Sequence, residues 1–213
     1  MAILIEDQKV KDYCQRYSSD VSDLFDEIVN YNTLNTRCPE DGSDFIQGRF
    51  LSFISHMIRP ELIVELGTYT GYSTLCLAEG LVPDGKIISI EAKESLKPVI
   101  QRHLRKAGVL NKVDLRIGVA QEILPTITGP IDLVFLDANK RRYFVFFELL
   151  IEKLRKGGFI LADNTLWKGT VLDSDKDKMS QAIHDFNRFV YRDDRVEQVI
   201  LPLRDGISLI RKL

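Results

Sequence analysis

Two short polar segments carry the side chains most capable of chemistry. Residues 137–140 (Asp-Ala-Asn-Lys) follow an almost uninterrupted apolar run at 131–136, and Asp163-Asn164 follow a second apolar run at 158–162. Apolar runs rich in β-branched residues are typical of strands buried on both faces of a parallel sheet. Because ligands bind beyond the carboxyl ends of such strands, we expect the two segments to form one site.

Asp137, Asp163 and Asn164 would present only oxygen ligands, which favour Mg²⁺, Ca²⁺ or Mn²⁺ over zinc. Three such ligands leave about half of an octahedral shell for water and substrate oxygens, so a catechol could chelate the ion. The alternative is that these side chains merely cap turns. Their occurrence at two strand ends favours a metal site. Lys140, close to the metal, is expected to have a lowered pKa and to act as the base, and a solvated lysine is the alternative.

Residues 65–71 (Glu-Leu-Gly-Thr-Tyr-Thr-Gly) follow a predicted strand and begin a helix. The Gly-x-x-x-Gly spacing differs from that of dinucleotide-binding loops and argues against a bound diphosphate. Glu91, at the end of the next strand, could accept hydrogen bonds from both ribose hydroxyls. An adenosyl ligand without a diphosphate fits, with S-adenosylmethionine as the candidate, although a tight turn with a surface acid is the alternative. The predicted cofactor-binding residues are Glu65, Gly67, Thr68, Tyr69, Gly71, Ser73, Glu91, Ala120 and Asp137.

Strands and helices alternate from residue 61 onward. The predicted strands are 62–66, 86–90, 113–117, 131–136, 158–162, 196–201 and 207–210, and the helices are 71–81, 95–107, 120–127, one through Leu154, and 177–191. Repeated βα units predict an α/β, Rossmann-like, seven-stranded, mostly parallel sheet with helices on both faces and an antiparallel C-terminal hairpin. Residues 1–57 should form an N-terminal helical cap on a core of residues 61–213, within one domain spanning 1–213.

Composition limits the function classes. With 213 residues and 45% hydrophobic content, the chain can bury one sizeable core, and its net charge of −2 does not suggest a dedicated nucleic-acid binder. Residues 2–5 are too short for a signal peptide, and no apolar run could span a membrane. The three cysteines lack a Cys-x-x-Cys pair, which favours reduced thiols in the cytoplasm.

Several of these segments resemble a known family. Residues 64–73 resemble the first motif of class I methyltransferases, in particular the cation-dependent O-methyltransferases of the caffeoyl-CoA and catechol type. Residues 135–140 and 163–167 are similar to that family's two metal-site motifs, and 201–207 resembles its closing hairpin. The likeness runs from about Gly42 to the C-terminus. It implies the strand order 3-2-1-4-5-7-6, which places Glu65 beside Asp137, and it implies Lys140 as the base and a homodimer.

For two residues, the sequence allows two different roles. Asn139 stands where many members have a second acid, so this position either only orients the loop or weakens metal binding. Trp167 could wall the substrate pocket against an aromatic ring, or it could be a core anchor.

The leading prediction is a divalent-metal-dependent O-methyltransferase that moves a methyl group from S-adenosylmethionine to a hydroxyl of a small catechol-like substrate. One alternative is a tRNA 5-hydroxyuridine O-methyltransferase, in which Arg141, Arg142 and the basic run 102–106 would hold phosphates. Another is a non-catalytic S-adenosylmethionine-binding protein, which Asn139 makes conceivable.

Overall fold

A seven-stranded sheet in the order β3-β2-β1-β4-β5-β7-β6 forms the centre of the computed structural model, which describes residues 8–39 and 42–213. The strands β1 to β5 pair in parallel, and β7 is antiparallel to both β5 and β6. The predicted sheet, its strand order and its antiparallel hairpin are thereby confirmed. The strands are β1 Leu62–Leu66, β2 Lys86–Glu91, β3 Val113–Ile117, β4 Ile131–Leu136, β5 Leu154–Asp163, β6 Val196–Leu201 and β7 Ile207–Lys212.

Helices cover both faces of the sheet. Alternate residues of β4 point to opposite faces, so Val134 and Leu136 belong to one apolar cluster while Leu133 and Phe135 belong to the other. The first cluster packs under α7 and α8, and the second packs under α2 to α5. The helices are α1 Gln8–Arg16, α2 Asp23–Asn35, α3 Phe45–Ile58, α4 Tyr72–Ala78, α5 Lys97–Lys106, α6 Ala120–Ile123, α7 Tyr143–Ile151 and α8 Lys178–Tyr191.

The prediction of a helix through Leu154 is wrong. Helix α7 ends at Ile151, and Leu154 already belongs to β5, where it pairs with Ile131 of β4. The next pair in register is Leu133 with Phe159, so β5 contains extra residues that bulge out of the ladder. Gly157, with φ +74°, is part of this irregularity.

Two other helices are shorter than predicted. Helix α4 ends at Ala78 instead of continuing to residue 81, and α6 is followed at Leu124–Thr126 by a 3₁₀ turn that contains Pro125. A proline lacks the N–H that would continue an α-helix, which explains the second difference. Within the described ranges, no helix combines the length and apolar character that crossing a membrane requires.

Candidate active site

The ends of β4 and β5 bring Asp137 and Asp163 side by side. Leu136 is opposite Ala162 in the parallel register, so the next residue of each strand is an acid. Asp163 is only 2% exposed. Burial and the nearby charge of Asp137 raise the pKa of Asp163 to about 6. The predicted pair of carboxylates therefore forms a largely buried negative centre.

The carboxylate of Asp163 is held by a hydrogen bond on each oxygen. Gln47 in α3 donates its Nε2 to Oδ2 at 2.7 Å, and the Asn164 N–H donates to Oδ1 at 2.8 Å. The Oε1 of Gln47 accepts a hydrogen bond from Nη1 of Arg204. Sequence reasoning missed Gln47 and Arg204. The only signal was a glutamine one turn before Leu51, on the buried face of α3.

Asn164 lies in a left-handed turn with φ +58° directly after β5. Its Nδ2 donates to Oδ2 of Asp205 at 3.3 Å, which leaves the amide oxygen as the end that can face a cation. Asp205 also accepts a hydrogen bond from the Lys168 N–H. Asp205, another residue that the sequence did not single out, thus connects the loop at 202–206 to the turn that carries Asn164.

Lys140 forms an ion pair with Oδ1 of Asp137, and its side chain is 11% exposed. Burial alone would lower the pKa of Lys140, but Tyr143, Asp137 and Asp163 outweigh burial and raise the pKa above its ordinary value. The predicted lowering of the Lys140 pKa concerns the metal-bound site, whereas in the protein by itself the pKa is raised, because two neighbouring carboxylates stabilise the ammonium. The hydroxyl of Tyr143 donates to the backbone oxygens of Leu136 and Asp163, which ties the two strand ends together.

These residues fit a hard divalent cation. In the described part of the chain, no three His, Cys, Asp or Glu side chains converge as a metal-binding group, and the candidate set consists of two acids and one amide. Each oxygen of Asp163 accepts one hydrogen bond and so retains a lone pair, and the donor end of Asn164 is turned to Asp205. The raised pKa of Asp163 also shows that this centre would be stabilised by added positive charge.

The loop after β1 packs tightly against the end of β4. Gly67 and Gly71 have φ values of +96° and +95°, which only glycine adopts without strain. A Cβ on Gly67 would lie 1.9 Å from the backbone oxygen of Asp137. The Tyr69 N–H donates to Oε2 of Glu91 at 2.8 Å. The structure thus brings the predicted cofactor loop into contact with Asp137 on one side and Glu91 on the other.

Glu65 lies beneath this loop and is fully buried. Its Oε1 accepts a hydrogen bond from Ser73 at 2.6 Å, and its Oε2 accepts from Thr74 and Ser89, each at 2.5 Å. Thr68 joins the network through Ser89. Burial raises the pKa of Glu65, while the hydroxyl donors lower it. The carboxylate has no surface toward a ligand, so its effect on the predicted cofactor site is through the groups that it holds.

Ala120 borders the same region, and Trp167 follows the turn at Asn164. The Gly118 N–H donates to the backbone oxygen of Glu91 at 2.9 Å, which brings the start of α6, with Ala120, beside the end of β2. Trp167 is half-buried, has φ +44° and packs against the core. A small pocket next to the loop is lined by Gly42, Ser43, Gly67, Thr68, Tyr69, Thr70, Tyr72, Ser73 and Asp137.

Asn139 caps the 3₁₀ turn that begins at Lys140. Its Oδ1 accepts a hydrogen bond from the Arg141 N–H at 3.2 Å, and the residue is exposed. An asparagine oxygen serves in this position as well as an aspartate oxygen would. In this geometry Asn139 orients the loop, which is one of the two roles considered from the sequence.

Comparisons with known proteins place these features in context. A sequence model of the family described as "O-methyltransferase" matches residues 15–213. Caffeoyl-CoA O-methyltransferase 1 from Eucalyptus globulus is 37% identical over 183 residues, covering 78% of this chain and 73% of the relative. Probable caffeoyl-CoA O-methyltransferase 3 from Dictyostelium discoideum is 30% identical, covering 94% and 88%.

Two solved structures are similar over nearly the whole chain. The SAH-bound methyltransferase PaMTH1 of Podospora anserina superposes with a TM-score of 0.90 at 27% identity, covering 97% of this chain and 94% of that protein. The O-methyltransferase TomG of Streptomyces achromogenes, solved with SAM, has a TM-score of 0.88 at 27% identity and covers 96% of each chain.

Proposed function

Because this chain belongs to the O-methyltransferase family and is an enzyme that uses S-adenosylmethionine, we propose that it methylates a hydroxyl of a small catechol-like substrate with a divalent metal ion. Mg²⁺ is the first candidate, with Ca²⁺ or Mn²⁺ as alternatives, and Asp137, Asp163 and Asn164 would hold it. The observation that carries the proposal is the pair of adjacent, largely buried carboxylates at the ends of β4 and β5. The similarity to caffeoyl-CoA O-methyltransferases supports a phenolic acceptor.

Asp137 connects the two halves of the proposed site. Its backbone oxygen lies against Gly67 of the cofactor loop, while its carboxylate lies beside Asp163. A donor on the loop and an acceptor at the carboxylates would thus be neighbours. Alignment of this kind can contribute about 7–11 kcal/mol to the lowering of a barrier. The role of the loop is to hold the donor, with Glu91 positioned by the Tyr69 N–H to receive the ribose.

Lys140 is the proposed base, acting through Nζ. A phenolic hydroxyl titrates near a pKa of about 10, so it is mostly protonated at neutral pH. When bound, a divalent cation would supply positive charge that stabilises a deprotonated hydroxyl. The same charge would offset the effect by which the carboxylates raise the pKa of Lys140. Lys140 is on the 3₁₀ turn directly after β4, within ion-pair contact of Asp137, so its Nζ is beside the atoms where the acceptor would sit. Trp167 is the proposed wall for the aromatic ring.

A methyl-transfer assay on a panel of catechols, with and without chelator, tests the proposal. We expect turnover that chelator abolishes and added Mg²⁺ restores, and little turnover in an Asp163→Ala variant. Asp132→Asn is the matched control, because Asp132 is at the opposite end of β4 and pairs with Arg155. Equal rates with and without chelator would exclude the metal, and no methylation of any catechol in the presence of Mg²⁺ would exclude the substrate class.

A tRNA acceptor is the second candidate, supported by the exposure of Arg141 and Arg142 beside Lys140. The basic run at 102–106 supports it less. His103 in this run is fully buried, Lys106 pairs with Glu27, and Arg102 stacks over the ring of Tyr31. Undermodified tRNA in a parallel arm of the assay, together with binding at several salt concentrations, separates the two acceptors.

We also propose that the protein is a homodimer, as the family resemblance implies, and that it is located in the cytoplasm, as its cysteines suggest. Light scattering of the purified protein across a concentration series measures the oligomeric state. A mass near 24 kDa, that of one chain, would exclude the dimer.

A further inference from the structure

A buried amide joins three distant parts of the chain, one of which carries Asp163. Gln47 is in α3, Arg204 is in the loop between β6 and β7, and Asp163 ends β5. The sequence separations are 116 residues between Gln47 and Asp163 and 157 between Gln47 and Arg204. Gln47 has no exposed surface, so both ends of its amide require partners within the protein.

The chemistry of the two partners determines which way the amide faces. Arg204 can only donate hydrogen bonds, so it selects the Oε1 end of Gln47, which leaves the Nε2 end for Asp163. Nε2 lies 2.7 Å from Oδ2 of Asp163. Arg204 is held in turn by Asp44, the N-cap residue of α3, with Nε 3.4 Å from the Asp44 carboxylate. Its side chain retains 22% exposure, whereas Gln47 is enclosed.

We propose that Gln47, oriented by Arg204, is a positioning residue that fixes the Asp163 carboxylate for cation binding. This inference rests on the proposed metal site. Among the residues that the structure describes, a carboxylate without the Gln47 bond would keep only the Asn164 N–H, on its other oxygen, and could rotate away from Asp137. The amide therefore connects the helical cap and the C-terminal hairpin to the geometry of one proposed ligand. Partners of this kind change metal affinity by about 10- to 100-fold in other proteins.

Mn²⁺ binding to the purified protein, measured by electron paramagnetic resonance, tests the inference apart from turnover. We expect Gln47→Leu to weaken Mn²⁺ binding by about tenfold or more, with S-adenosylmethionine affinity nearly unchanged. Ser55→Ala is the matched control, because Ser55 is also fully buried in α3 and its hydroxyl donates to the Leu77 oxygen, away from the site. A folded Gln47→Leu protein that binds Mn²⁺ as tightly as the wild type overturns the inference.

A second variant tests the orienting role of Arg204. It should disturb folding less than Gln47→Leu does, because the Arg204 side chain is partly exposed. Arg204→Met should weaken Mn²⁺ binding in the same direction but by less. The double variant Gln47→Leu/Arg204→Met should lose less Mn²⁺ affinity than the sum of the two single losses, because the orienting role of Arg204 requires Gln47. If the losses of Mn²⁺ affinity in the two single variants are fully additive, or if Arg204→Met loses no affinity, then Arg204 does not orient Gln47.

Crystal structures of metal-free wild type and Arg204→Met separate this inference from the metal proposal. We expect the Gln47 amide to turn and the Asp163 carboxylate to leave its position in the variant. If the wild type binds no Mn²⁺, the metal proposal fails, while an unmoved Asp163 carboxylate in the variant refutes the positioning role by itself.

Discussion

At the scale of single residues, Asp163 combines burial with a second negative charge nearby. It has a hydrogen-bond donor on each carboxylate oxygen, and Lys140 and Arg204 lower its pKa. Burial and Asp137 nevertheless prevail, so the folded pKa is about 6 against an ordinary value of 3.8. The charged form of Asp163 therefore costs free energy in the metal-free protein.

This cost predicts a pH dependence of stability. An acid whose folded pKa is raised contributes most to stability below its unfolded pKa and loses that contribution as pH rises through the folded value. The loss falls between about pH 4 and pH 6 and amounts to at most about 3 kcal/mol. Over this window, urea unfolding of the metal-free wild type should show its stability falling relative to that of Asp163→Asn, which has no carboxyl group to titrate at this position. Parallel pH profiles for the two proteins would contradict the raised pKa.

Replacement of Lys140 tests the proposed base. We expect Lys140→Met to lower kcat by about 10²- to 10⁴-fold, the usual contribution of general acid–base catalysis, because no other amine is paired with Asp137 in the described structure. S-adenosylmethionine affinity should change little. Steady-state kinetics and calorimetry measure the two quantities, with Arg141→Met as the control on the same turn. Unchanged kcat in Lys140→Met would remove Lys140 from the mechanism.

Glu65 supports the loop from below, and its loss should affect both stability and cofactor binding. Glu65→Leu leaves the hydroxyls of Ser73, Thr74 and Ser89 without their shared acceptor, which should lower the free energy of unfolding by about 1–3 kcal/mol or more. Affinity for S-adenosylmethionine, measured by calorimetry, should fall as the loop loosens. Glu79→Leu, which removes a half-exposed acid bonded to Ser52 and Arg49, should leave that affinity nearly unchanged.

At the scale of elements, the loop after β1 and the end of β4 act as one unit. The contact between Gly67 and Asp137 leaves no space for a methyl group. This close approach is what places the predicted cofactor loop beside the proposed metal ligands. The close approach is possible because residue 67 is a glycine and has no Cβ.

Gly67→Ala should therefore impair both halves of the site. The new Cβ would displace the Asp137 backbone and would add strain at φ +96°. We expect weaker binding of both S-adenosylmethionine and Mn²⁺, measured by calorimetry. Gly108→Ala is the matched control, because Gly108 also has a positive φ, +72°, but nothing lies within 4 Å of an added Cβ. Equal binding by Gly67→Ala and Gly108→Ala would contradict a role for the close contact between Gly67 and Asp137.

At the scale of the whole molecule, cation binding should stabilise the fold, because the proposed ligands come together only when β4 and β5 are paired. At a metal concentration about 100 times Kd, binding contributes about 2.7 kcal/mol. For a domain of this size the melting temperature should rise by roughly 5–10 °C. Calorimetric melts with chelator and with Mg²⁺ measure the rise, and Asp163→Ala should abolish it while Asp132→Asn retains it. An equal rise in Asp163→Ala would place the cation elsewhere.

The sequence by itself determined the sheet and the chain positions of its candidate site. Apolar runs locate strands, and the polar residues directly after them locate strand ends, because both signals are local. Strands β1, β3, β4 and β6 begin and end where the pattern predicts. The start of β5 was not predictable in this way, because its first residues belong to the strand only through pairing with Ile131.

Only the tertiary structure decided how the candidate residues are held. Gln47, Arg204 and Asp205 approach Asp163 and Asn164 from elements far along the chain, and a spacing rule cannot register such contacts. The direction of the Lys140 pKa was likewise not evident, since it depends on the balance between burial and the charges around it. Local patterns report the periodicity of backbone and side chains, whereas protonation and orientation follow from what folding brings within a few ångströms.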